Sequence, residues 1–298
     1  MAEKYEKTYN SYYWQERKDG LYKINGKKRG IDSLINNIKL CRNNEPLRIL
    51  DVGCGEGHII EYISHHVDNR SRFVGLDRNK EALDNASLLL SDNSQCSIVN
   101  REIVDSHWIE HIGVFDVVIC VNIFHEIYSS LLMQNCNNIN TDFSQIINRV
   151  FDLVDKDGLV LIFDGLEQTY SLFRTVIFEM QDQDTIDKFE EFVNEYRAFP
   201  VIYKRLSYNC IKCNLKDFTR FITKLRFISS PTWEIEKYES YQYYTEKEFR
   251  YLFENNNMTI IDSSKFICDS SEWQRHIKIV NDIPYPDECF YILGQKMT

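Results

Sequence analysis

The sequence predicts an α/β fold, a doubly wound and mostly parallel sheet of seven strands with a helical cap inserted late in the chain. Three observations predict it. An apolar run ending at Val52 feeds a turn with glycine at 53, 55 and 57, and a helix-like stretch starts at His58. Four further short apolar runs follow, each bounded by helix-like or polar segments, the pattern of parallel strands covered on both faces. Residues 166–245 then break that rhythm before two more strand-like runs close the chain.

The elements follow in order. Residues 1–45 read as helical and are crowded with Tyr5, Tyr9, Tyr12, Tyr13, Trp14 and Tyr22. Residues 46–165 form the core. Its strands are Arg48–Gly53, Arg72–Asp77, Cys96–Asn100, Phe115–Asn122 and Gly158–Asp164. Residues 166–245 form the cap, because Phe173–Met180, Phe189–Tyr196 and Asn214–Phe227 have helical spacing. It is expected over the strand C-termini, where ligands bind in open α/β sheets. Residues 246–298 complete the core with a helix, Glu246–Asn255, a sixth strand from about Met258 and a seventh, Cys289–Gly294.

The glycine turn implies a ligand. Glycines accept φ > 0 and let a ligand approach the main chain without meeting a Cβ. The helix start behind them offers unpaired N–H groups. The motif Asp51-Val-Gly-Cys-Gly-Glu-Gly57 is not the dinucleotide fingerprint, whose third glycine comes one residue later. Asp51 would repel a pyrophosphate and suits a cationic group. Asp77, at the end of the second strand, is placed to accept both ribose hydroxyls.

This order of motifs resembles the class I S-adenosylmethionine-dependent methyltransferases over residues 46–165 and 246–298. The resemblance implies S-adenosylmethionine as cofactor and an antiparallel last strand. It places Asp51, Gly53, Cys54, Gly55 and Gly57 at the ligand's amino acid end and Asp77 on its ribose. Leu76 and Arg78 flank the adenine, Glu102 takes its amine, Ile103 packs on the ring, and Asn122 lines the strand-four edge. Most members carry Asp where this chain has Glu102, so Asp105 is a rival. The resemblance also makes the N-terminal aromatic segment a lid, with core packing as the alternative, and offers Arg29 to the ligand carboxylate.

Methyl transfer from a sulfonium mainly requires positioning the acceptor and removing its proton where necessary. The strand-four edge carries His125 and Glu126, similar to the His-Asp pair of plant-type O-methyltransferases. Imidazole titrates near neutrality and can take a hydroxyl proton. His125 is therefore expected either as general base, with Glu126 beside it, or as pocket wall. No Asn/Asp-Pro-Pro-Tyr/Phe follows strand four and no Pro-Cys dipeptide occurs, which disfavours adenine-N6, glutamine and cytosine-C5 acceptors. Glu234, Glu236, Glu239 and Tyr241–Tyr244 are further candidates for substrate contact.

Composition narrows the partners. A net charge of −10 disfavours broad nucleic-acid binding. Between Arg197 and Arg226 lie eight Lys or Arg and one acid, Asp217. This is either a basic mouth for a phosphorylated, carboxylated or RNA acceptor, or a solvated face paired with the acidic 182–195 stretch, which is favoured. Nine scattered cysteines suit a reducing, cytoplasmic setting. No run is long enough to span a bilayer, and the polar N-terminus lacks a signal h-region. Cys210-Ile-Lys-Cys213 is the lone C-x-x-C, and no metal is implied. The expectation is a methyltransferase acting on a small molecule, O ahead of N. RNA or protein methylation, and a non-catalytic cofactor-binding domain, are the alternatives.

Overall fold

The structure is a computed structural model that describes residues 14–15, 18–19, 21, 26–41, 45–103, 112–134, 138–268 and 270–297. Tyr5, Tyr9, Tyr12, Tyr13, Tyr22 and Asp105 lie outside them. The chain runs α1 (Lys27–Cys41), β1 (Arg48–Val52), α2 (His58–Ser64), β2 (Arg72–Asp77), α3 (Lys80–Leu89), β3 (Cys96–Asn100) and β4 (Phe115–Val121). Next come α4 (Phe124–Met133), α5 (Ile139–Asp152) and β5 (Val154–Gly165). The insertion holds β6 (Thr175–Met180), α6 (Gln183–Glu195), β7 (Tyr203–Arg205), β8 (Cys210–Asn214), α7 (Leu215–Lys224) and α8 (Trp233–Glu236). The chain closes with α9 (Glu246–Asn255), β9 (Met258–Phe266), α10 (Ser270–His276), β10 (Ile277–Ile279) and β11 (Cys289–Lys296).

The main sheet has seven strands in the order β3-β2-β1-β4-β5-β11-β9. Only β11 runs antiparallel, wedged between β5 and β9. Side chains of a strand alternate between faces, and here both faces are buried. On β4, Val117, Ile119 and Val121 pack against α1, α2 and α3, while Val118 and Cys120 face α5 and α9. That double burial is why the strands read as unbroken apolar runs. Helix starts follow side-chain chemistry: Asn79 caps α3 through Ala82 N–H, and Thr245 and Glu248 form a capping box on α9.

The insertion corrects the sequence reading in two ways. It is not a helical cap, because it contains a second, four-stranded sheet in the order β10-β6-β8-β7. Phe173–Met180, read as helical, forms strand β6 from Thr175, with Val176, Phe178 and Met180 inward and Thr175 exposed. The short run Thr175-Val-Ile-Phe fits either period, and β-branched residues plus antiparallel partners on both sides decide for the strand. The expected helices survive as α6 and α7, which pack Phe189, Phe192, Phe218 and Phe221 onto this sheet. Secondly, 246–298 is not purely core completion. β10 leaves the core to pair antiparallel with β6, and Trp273 and Ile277 join the cap interior. Among the described residues, no helix is long and apolar enough to cross a membrane.

Candidate functional site

The turn after β1 is tied to the end of β2. Gly53 N–H and Cys54 N–H both donate to the Leu76 carbonyl, at 2.7 and 3.0 Å. Gly53 and Gly55 have φ of 75° and 52°, which L side chains rarely adopt. A Cβ on Gly53 would lie 2.8 Å from Ile123, and one on Gly55 would lie 2.7 Å from the Trp14 ring. The turn is therefore pressed between the strand-four edge and the N-terminal segment. The Trp14 ring packs over Gly55.

Two carboxylates stand under and beside this turn. Asp77 accepts Gly55 N–H and Asn79 N–H, one on each oxygen, both at 2.8 Å. Burial raises its pKa, and the two backbone hydrogen bonds oppose that. Asp51 is fully buried, and neither of its oxygens has a hydrogen-bond partner among the described residues. Burial first, then the charge of Asp77, raises its pKa to about 7, with Lys27 pulling the other way. A buried carboxylate without a partner is costly by several kcal/mol, so the site is built for a cation or a proton.

A cavity of about 260 Å³ opens over these groups. Gly53, Cys54, Gly55, Leu76, Asp77, Arg78, Glu102, Ile103, Asn122 and Glu126 all line it. Arg78 and Glu102 lie 3.9 Å apart, and Ile103 is buried on the core side. Asn122 holds φ 56° while its N–H donates to the Phe163 carbonyl at 2.8 Å, which turns the chain from β4 into α4. Asp51 sits beneath the turn rather than in the wall. Gly57 starts α2 and packs against Leu90 and Ala86. Lys27 and Trp14 complete the wall. Neither the spacing nor the chemistry of the sequence singled out Lys27. Arg29 lies elsewhere, over the Phe266 ring at 5.3 Å.

His125 does not join that wall. It is buried, with Nδ1 2.6 Å from Asp164 Oδ1. Asp164 Oδ2 accepts the N–H groups of Phe124 and His125 at 2.9 and 3.3 Å, so one carboxylate caps α4 and fixes the imidazole. Burial pulls the imidazole pKa down, but the charge and hydrogen bond of Asp164 outweigh it and leave it raised. On the other side, Nε2 lies 3.9 Å from Glu239, and the Tyr241 ring meets the imidazole edge-on at 4.6 Å. Burial and the neighbouring Glu236 push Glu239 up to about 8. Glu236 pairs with the buried Lys224 at 2.5 Å and accepts the Tyr241 hydroxyl at 2.5 Å. His125, Asp164, Glu239, Glu236 and Lys224 thus form one buried polar network where the cap meets the core. Glu126, next along α4, faces the cavity instead.

Four of the eight basic residues of the 197–226 stretch are matched internally by carboxylates. Lys224 pairs with Glu236, Arg220 with Asp217, Lys216 with Glu167 and Arg205 with Glu190. Arg220 also lies over the Phe199 ring at 4.1 Å. Cys210 and Cys213 both lie on β8, the first half-buried and the second buried.

A comparison with protein families matches residues 50–160 to a methyltransferase domain. No curated protein sequence matches the chain. Among solved structures, the chain is similar to the N-methyltransferase NodS from Bradyrhizobium japonicum WM9, at 10% identity and TM-score 0.47, covering 91% of this chain and 96% of that one. It is also similar to magnesium protoporphyrin IX methyltransferase (ChlM) from Synechocystis PCC 6803, at 13% identity and TM-score 0.47, covering 91% and 83%. A third is the YcgJ protein from Bacillus subtilis, at 14% identity and TM-score 0.49, covering 91% and 99%. Residues 50–160 therefore carry a methyltransferase domain, and the strand order with one antiparallel strand and the acid-glycine turn facing a second acid agree with that match.

Proposed function

We propose that the protein transfers a methyl group to a small-molecule acceptor, with a hydroxyl oxygen ahead of an amine nitrogen as the receiving atom. The residues present fit the cofactor. The buried Asp51 carboxylate beneath the turn favours a cationic ligand group above it by charge, the lone pairs of Asp77 suit the ribose hydroxyls, and Leu76 and Ile103 suit a flat base. When bound, S-adenosylmethionine supplies an activated methyl group. The chain's own residues then hold that ligand, exclude water with Trp14 and align the acceptor. Glu126, on the cavity wall, accepts the acceptor's proton if a hydroxyl is used.

The observation that carries the small-molecule reading is the internal pairing of Arg205, Lys216, Arg220 and Lys224. An RNA-binding face needs cations left for phosphates. Here four of the eight hold the protein's own carboxylates, on a chain of net charge −10. The test is a turnover screen with small hydroxyl and amine acceptors alongside bulk tRNA, at low and high salt. Methylation of a small hydroxyl compound, insensitive to salt, is the expected result. Methylation of tRNA alone, collapsing as salt rises, overturns the reading.

A further inference from the structure

Cys268, Glu288 and Cys289 converge at a point the methyltransferase site does not use. Cys289 is the first residue of β11 and pairs with Gly165 of β5 on one side and Phe266 of β9 on the other. Cys268 lies just past the end of β9. The two Sγ atoms are 2.7 Å apart. Glu288 is 7% exposed. Its Oε1 accepts Cys268 N–H at 2.8 Å, which fixes the carboxylate plane. Its Oε2 is buried and has no hydrogen-bond partner among the described residues. One ligand atom from each residue can be chosen so that all three lie within 4.8 Å of one another.

The position is also distinctive. The chain between these cysteines leaves the core sheet as α10 and β10. It adds an edge strand to the cap sheet and then returns to the core as β11. Cys268 and Cys289 therefore stand at the neck of the excursion that links the two sheets.

We propose that Cys268, Cys289 and Glu288 form a binding site for a thiophilic divalent cation, with zinc as the reference ion. Two sulfurs and a carboxylate are a zinc donor set, and sulfur excludes magnesium and calcium as natural occupants. The competing outcome is a disulfide. It would consume both thiols and leave the buried Glu288 oxygen facing two sulfurs that donate nothing. A cation satisfies all three groups at once. Zinc–sulfur bonds of about 2.3 Å in a tetrahedral site place the sulfurs about 3.7 Å apart, so binding opens the pair by about 1 Å. Each thiol gives up its proton and forms a sulfur–zinc bond, so two protons are released per ion. The fourth position takes water. The bound ion pins the neck and couples the cap to the core.

The experiment uses the full chain, freed of metal and kept reduced with a phosphine. Zinc is titrated against a chromophoric chelator, and cobalt is added to a parallel sample. One zinc per chain is expected, with thiolate-to-cobalt charge-transfer absorption. Cys268→Ser should weaken zinc at least 100-fold, and Glu288→Gln at least 10-fold. Circular dichroism confirms that each variant folds. Should Cys268→Ser fail to fold, Glu288→Gln and the cobalt spectrum of the unaltered chain report on the same ligands. The absence of stoichiometric zinc overturns the proposal. So does zinc binding that survives in the Cys268→Ser/Cys289→Ser chain. Protein isolated without reductant as a 268–289 disulfide, which takes up no zinc after reduction, overturns it equally. No readout depends on methyl transfer, so the outcome is independent of the acceptor.

Discussion

Asp164 grips His125 at two levels, with one oxygen 2.6 Å from the imidazole Nδ1 and the other on the backbone N–H groups of Phe124 and His125. This ties the end of β5 to the first turn of α4, the helix that carries Glu126 along the cavity. The imidazole is thus a structural strut, held behind the wall that the substrate would meet.

Removing the strut should damage stability first. His125→Ala leaves Asp164 with a buried charge deprived of its side-chain partner. Breaking a buried pair from one side costs about 3–5 kcal/mol. A large fall in Tm is expected, with cofactor affinity in the surviving folded protein within a few-fold of the original. Thermal melts paired with calorimetry check this. A normal Tm with lost turnover would return His125 to the role of base.

Asp51 makes stability depend on pH. Its pKa is about 7 in the folded chain and near 3.8 unfolded. A raised value means that the folded state favours the proton. The stabilisation is present below the unfolded pKa and is lost as pH rises toward 7. Without ligand, the protein should lose up to about 4 kcal/mol across this window, as an upper bound. Asp51→Asn should make the profile shallower, with the raised Glu239 carboxyl still contributing in the same direction, and weaken cofactor binding. Denaturant titrations between pH 4 and 8 measure the first effect, and calorimetry the second.

Asp77→Ala should lower cofactor affinity at least 100-fold while the chain stays folded, because its carboxylate is the acceptor beside the Gly53–Gly57 turn. Isothermal calorimetry with the demethylated cofactor product is the direct measurement. Unchanged affinity removes the ribose assignment.

For Glu126→Gln, the expectation is a fall in kcat of about 100-fold with a hydroxyl acceptor and an unchanged cofactor Kd. A kcat equal to that of the unaltered enzyme would assign Glu126 to the wall alone.

Lys224→Met strands Glu236 in the network and should destabilise by about 3–5 kcal/mol. Adding Glu236→Leu should recover much of that loss, since an apolar pair avoids the desolvation of two ions. A double-mutant cycle by denaturant unfolding gives the coupling.

The sequence by itself determined the main sheet and the cofactor turn. Both rest on local physics: strands buried on two faces must be apolar throughout, and glycine takes the positive φ at 53 and 55 without steric cost. Asp51 and Asp77 were legible because each sits at the end of such a strand. Tertiary structure decided the rest. Thr175–Met180 suits a helix or a strand by spacing, and its neighbours β8 and β10 settle it, one of them arriving from residue 277 onward. The roles of His125 and Glu126 were equally hidden, because adjacent residues on a helix point in different directions. Which of them faces the cavity depends on Asp164, thirty-nine residues away from His125. Cys268 and Glu288 likewise meet only because β9 and β11 are paired, a contact between strands that no local spacing encodes.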